Sequence, residues 1–154
     1  MRNLNPGYVE AVRKYVNVCP YFSLLSIQIK GLSWGESRIE IQAQEKHLQP
    51  FGIVHGGVFA SLLDAAAFWA VYSEVPEDLG MTTVELKINY LAPLSTGRMI
   101  AKGKSLRVGK TICLGEASIA DEKGTLLAHG TSTMMILKDL KIQGAEHWPS
   151  KYLD

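Results

Sequence analysis

The spacing of apolar residues changes several times along this chain, and each change marks an element. Val9, Val12 and Val16 recur at helical intervals after Asn5-Pro6, where Asn caps well and Pro suits the first helical position. A first helix is therefore predicted from there to about Cys19-Pro20. Two strands are predicted next, over 24–32 and 37–44, the second alternating Ile39 and Ile41 against Arg38 and Glu40. A loop over 45–54 leads into a helix over 56–73 that is apolar on most sides. After a break at 76–80, four strands are predicted over 82–91, 99–108, 111–120 and 125–137, separated by turn residues such as Gly109-Lys110. This order predicts an α+β fold in which an antiparallel sheet packs on the central helix. The tail over 138–154 loses the alternation and is predicted to be a loosely held extension.

Asp64 is the single charge in that central helix. A carboxylate in apolar surroundings is costly unless it has a partner or a task. The bland alternative is a solvent-facing Asp, but Ala60, Ser61, Ala67 and Phe68, one turn away, make no polar face. The same helix opens on His55-Gly56-Gly57. Its first backbone N–H groups lack intrahelical partners, and glycine puts no side chain in a ligand's way. On its own this is also how a tight loop-to-helix turn is written. Together, donors for a developing oxyanion and a carboxylate for base or nucleophile work are the minimum parts of an acyl-transfer site.

Gly56 and Asp64 are eight residues apart, roughly 12 Å along one helix. One reacting carbon cannot touch both, so cooperation requires two copies of the helix. The spacing predicts a two-fold homodimer with two composite sites.

The 154 residues, 47% hydrophobic with a formal net charge of +1, fit one globular domain with a real core. The charge argues against a general nucleic-acid binder. The central carboxylate argues against a membrane span, and no signal-peptide pattern opens the chain, so a cytoplasmic protein with neither a nucleic-acid nor a membrane partner is expected. Cys19 and Cys113 stand alone, without ligand-like spacing to His47, His55, His129 or His147. Neither a disulfide nor a metal site is expected.

Gln49, Gly52, His55-Gly56-Gly57 and Asp64, so spaced, resemble the hotdog-fold acyl-CoA thioesterases, in particular the phenylacetyl-CoA thioesterase-like branch. The resemblance runs from Tyr21-Phe22-Ser23-Leu24-Leu25 to Leu137. It implies a helical extension at 1–20, a hotdog domain at 21–137 with its sheet wrapped round the central helix, and the tail at 138–154. Dimers joined edge to edge, with sites at the interface and a homotetramer beyond, are implied too. By the same resemblance, the Gly56 N–H binds the thioester carbonyl and Asp64 is nucleophile or general base. Gln49, where many of that branch carry Asn, orients water or thioester, and Thr83 helps to hold the water. The implied substrate is an aromatic or fatty acyl-CoA, with coenzyme A as part of the substrate and no separate cofactor.

His55 either donates to the carbonyl or is a packing histidine. Gly57 and Tyr90 are further candidate substrate contacts. Arg107 and Lys110, in a basic cluster with Lys102 and Lys104, are candidates for the coenzyme A phosphates; their bland reading is a lysine-protected sheet edge. Pocket length is expected to depend on Phe59, Leu63, Phe68, Trp69 and Tyr90. Two other readings stay open: a hydratase or dehydratase of acyl thioesters that pairs His55 with Asp64, and a non-catalytic acyl-CoA-binding module.

Overall fold

Over residues 2–153, which the computed structural model describes, the elements are α1 (Pro6–Val16), α2 (Pro20–Leu25), β1 (Gln28–Ser33), β2 (Glu36–Gln42), α3 (Gly56–Tyr72), β3 (Gly80–Tyr90), β4 (Arg98–Val108), β5 (Ile112–Ala120) and β6 (Leu126–Leu137). The strands form one six-stranded antiparallel sheet in the order β1-β2-β4-β5-β6-β3. Its inward positions, among them Ile39, Ile41, Met99, Ile119 and Met134, bury themselves against Leu62, Leu63, Ala66 and Ala67 of α3. None of the described helices is long and apolar enough to cross a membrane.

The helix sits close to the sheet because the sheet lacks side chains where it passes. A Cβ at Gly103 would collide with the Ala66 carbonyl oxygen, and Ser37 Oγ donates to that same carbonyl at 2.6 Å. Tight backbone approach of this kind is where a glycine cannot be exchanged.

The N-terminal part departs from the expectation. The first helix stops at Val16, and Asn17 pairs its side chain with both the N–H (2.7 Å) and the carbonyl (3.3 Å) of Ile29. Pro20 then starts α2 at a first-turn position, and Ser26, in left-handed backbone at φ 57°, ends it. Leu24 and Leu25, expected in a strand, therefore belong to α2, and β1 begins at Gln28. β2 ends at Gln42, because Gln44 and His47 form a reciprocal cap on the 3-10 turn Glu45–His47.

The tail is not loose. Trp148 packs edge-on against Tyr8 and Tyr15, with ring centroids 5.9 and 5.5 Å away, and Leu4 bridges to Tyr152. Lys151 is fully buried. Its Nζ donates to the carbonyls of Tyr72 (2.5 Å) and Val75 (2.6 Å) at the end of α3 and lies 4.1 Å from the centre of the Tyr72 ring. Loss of alternation marked irregular backbone here, and irregular backbone can pack.

Candidate active site

Asp64 is half-buried on α3, among the half-buried Ala60, Ser61, Ala65 and Phe68, and within reach of the strands β3 and β6. Its Oδ1 accepts two hydrogen bonds, from Thr83 Oγ1 at 2.9 Å and from Ser132 Oγ at 2.8 Å. Both hydroxyls get there by strand parity. Along β6, Ala128, Gly130, Ser132 and Met134 point inward. In β3 a bulge at Val84 lets Met81 and Thr83 before it, and Leu86 and Ile88 after it, share the inner face. Among the described residues Oδ2 takes no hydrogen bond, so two donors fix the carboxyl's rotation and leave one oxygen for chemistry. Asp64 is on the wall of a largely apolar cavity of about 640 Å³, with Phe68, Trp69 and Tyr72 of the same helix.

At the N-terminus of α3, His55 is the N-cap, and its Nδ1 accepts from the Gly57 N–H at 2.8 Å. The Val58 N–H is bonded to the His55 carbonyl at 2.9 Å. Gly56 is thus the first-turn residue whose N–H has no acceptor among the described residues. Gly57, expected to face substrate, has its N–H occupied by His55. With Nδ1 accepting, the neutral ring carries its proton on Nε2 and presents a donor there. The Tyr90 hydroxyl donates to the Gly56 carbonyl at 3.2 Å, and its ring lies where a Cβ on Gly56 would come to 3.2 Å. Gln49 is folded onto its own turn: its Oε1 accepts from the Phe51 N–H, and Gly52, at φ 77°, closes the loop on the Gln49 carbonyl at 2.9 Å. That leaves the Gln49 amide NH₂ to meet a ligand.

Other expected contacts are placed elsewhere. Arg107 and Lys110 are exposed toward the hairpin between β4 and β5, and neither lines the Asp64 cavity. Phe59 and Leu63 are buried in the core, so of the residues expected to set pocket length Phe68 and Trp69 line this cavity. Two features were missed. Ser132 was legible only as a hydroxyl at an inward strand position, and the cavity walls from α1, α2 and residues 140–142 had no sequence signal of their own.

Residues 51–128, just over half of the chain and the stretch that holds both Gly56 and Asp64, match the family model of the thioesterase superfamily. The chain belongs to the thioesterase superfamily. This superfamily member is 32% identical over 139 residues to a Halobacterium salinarum protein named as a candidate esterase, covering 83% of this chain and 91% of that one. It is 29% identical over 117 residues to the 1,4-dihydroxy-2-naphthoyl-CoA hydrolase of Listeria monocytogenes, covering 76% and 95% of the two chains. The crystal structure of a Haemophilus influenzae thioesterase superposes with a TM-score of 0.82 at 20% identity, over 93% of this chain and 99% of that one. The fold is the hotdog fold of these proteins.

Proposed function

We propose that this superfamily member hydrolyses an acyl-CoA thioester to the free acid and coenzyme A. The observation that carries the reading is the Asp64 carboxylate, clamped at Oδ1 by Thr83 and Ser132 and otherwise facing an apolar cavity. The likeness to a hydrolase named for a CoA thioester supports it. Because Gly56 and Asp64 sit on one helix, the working unit is a two-fold homodimer, and the unpaired edge of β3 in the strand order offers a place for the two sheets to join.

The thioester carbonyl accepts from the Gly56 N–H at the positive end of α3, which stabilises negative charge as it develops on oxygen. The Nε2–H of His55 is a second donor at that end, and the Gln49 NH₂ orients the attacking water. Asp64 of the partner subunit takes the water's proton through Oδ2 as the carbonyl carbon is attacked, or attacks that carbon itself to give an anhydride that water resolves. Collapse of the tetrahedral species expels the coenzyme A thiolate. Arg107 and Lys110 meet the coenzyme A phosphates at the rim, and dimers pair into a homotetramer.

The test is a panel of aromatic and fatty acyl-CoA substrates, followed with a thiol-reactive dye. Free thiol released in step with acid is the expected result. Loss of enoyl-CoA absorbance without thiol would identify a hydratase instead, and tight binding with neither signal a binding module.

A further inference from the structure

The cavity beside Asp64 has two unlike sides. One is α3 itself, where Phe68 and Tyr72 stack at 5.7 Å with 17° between their planes. The facing wall is Tyr15, Tyr21 and Phe22 from the N-terminal helices, with Leu140 and Ile142 from the tail. None of these five falls within 51–128, the stretch that the superfamily model matches.

This outer wall is fixed in place. The Tyr21 hydroxyl lies 2.6 Å from Ser61 Oγ, one helical turn before Asp64. Ser61 gives its own proton to the Gly57 carbonyl at 2.9 Å, so Tyr21 is the donor. Tyr21 is therefore a strut between α2 and α3, although 54% of it is exposed. At the other end of α2, Lys46 Nζ donates to Ser26 Oγ at 2.7 Å, and the buried His47 bonds the Leu25 carbonyl through Nε2 at 2.8 Å. The tail side is equally constrained: a Cβ on Gly80 would strike the Leu140 carbonyl. Among the described residues, Asp64 and the exposed Lys141 are the only charged ones on the walls, so a charged acyl terminus would lose hydration against apolar surface without a buried partner.

We infer that the terminal segments outside 51–128 select the acyl group; that Tyr21 is the specificity-determining residue; and that the group selected is neutral and apolar, its length limited by this wall. The inference rests on the hydrolase reading, and its test separates the two. Wild type, Tyr21→Phe, Tyr21→Ala and Ile142→Ala are compared on neutral acyl-CoAs of increasing length and on succinyl-CoA, by thiol release and by calorimetric binding of the non-hydrolysable alkyl-CoA thioethers. Tyr21→Ala should raise the long-to-short ratio of kcat/KM, and of thioether affinity, by on the order of tenfold. Ile142→Ala and Tyr21→Phe should move it less in the same direction, and succinyl-CoA should be the poorest substrate throughout. Thiol release with ratios within twofold of wild type in all three variants, or with succinyl-CoA preferred, overturns the inference and leaves the hydrolase intact. Thioether preference that shifts as expected without any thiol release upholds the wall and overturns the hydrolase. Absence of both binding and release overturns both.

Discussion

Ser132 donates to Asp64 across 2.8 Å, although 68 residues separate them in the chain. The bond joins the strand β6 to the helix α3 at the only charge that helix carries, and with Thr83 it decides how the carboxyl group is turned. Hydrogen bonds to charged groups are worth about 1.5–3 kcal/mol. Ser132→Ala and Thr83→Val are each expected to lower kcat by roughly tenfold or more with little change in KM, and the double variant by less than the product, since both act on one oxygen. Steady-state kinetics of the four proteins check this; a loss confined to KM would remove the hydroxyls from the chemistry.

Asp64→Asn preserves shape and both hydroxyl partners but removes the base. Turnover should fall by about 10²–10⁴-fold, with the thermal transition near that of wild type. Near-normal turnover would exclude Asp64 as base or nucleophile.

Composite sites have a more demanding test. Gly56→Pro removes the first-turn N–H that has no acceptor among the described residues, while keeping a residue that suits that helical position. His55, at φ −63° and ψ 138°, already has the backbone that a following proline requires. Gly56→Pro and Asp64→Asn homodimers should both be nearly inactive. Unfolded together and refolded, they should recover about a quarter of wild-type activity, from mixed dimers with one intact site. No recovery would place both groups of a site in one chain.

The cap and the donor on His55 can be separated by substitution. His55→Ala loses the bond from the Gly57 N–H and should cost about 1 kcal/mol of stability. His55→Asn, itself a good N-cap, should restore the melting temperature without restoring the Nε2–H donor. If His55→Asn also restores full kcat, the ring serves the fold alone.

Lys151 gives stability a distinctive pH dependence. Burial lowers its pKa from 10.5 to about 7, with the Glu77 charge partly opposing. Between those values the unfolded chain holds a proton that the folded chain has released, so stability should rise as pH increases from about 7 toward 10; below about 7 both states are protonated and the penalty is constant. Burial also raises the pKa of Tyr8 and Tyr72, and pushes Tyr152 up to about 12. Those three contribute stability that is lost as pH rises above the ordinary tyrosine value of 10.0. Thermal melts across pH 7 to 11 should show a rise and then a fall, and Lys151→Met should abolish the rise. An unchanged slope in that variant would mean the lysine stays charged when folded.

Where the chain was legible, a single local rule governed it. The α3 helix and the four later strands follow from periodicity and turn residues, and they fall within two residues of the expected limits. Asp64 and Gly56 stood out as a charge in an apolar run and as a side-chain-free helix start. The rest depended on contacts that no window of sequence contains. Leu24 and Leu25 read as strand because two adjacent leucines fit either state, while Pro20 and the left-handed Ser26 enclose them in a helix. Ser132 needed the inward parity of β6 and its distance from Asp64 to be known together. Lys151, one of three lysines in an apparently featureless tail, is buried because two carbonyls at the end of α3 are open to it.

Gly56 and Asp64 are carried by one seventeen-residue helix, which is seated where Gly103 and Ser37 meet the Ala66 carbonyl. Neither group can be re-aimed without dislodging the rod and everything mounted on it, so the reacting geometry is inherited as a block. Adaptation to new substrates is thereby diverted to parts that are free to drift.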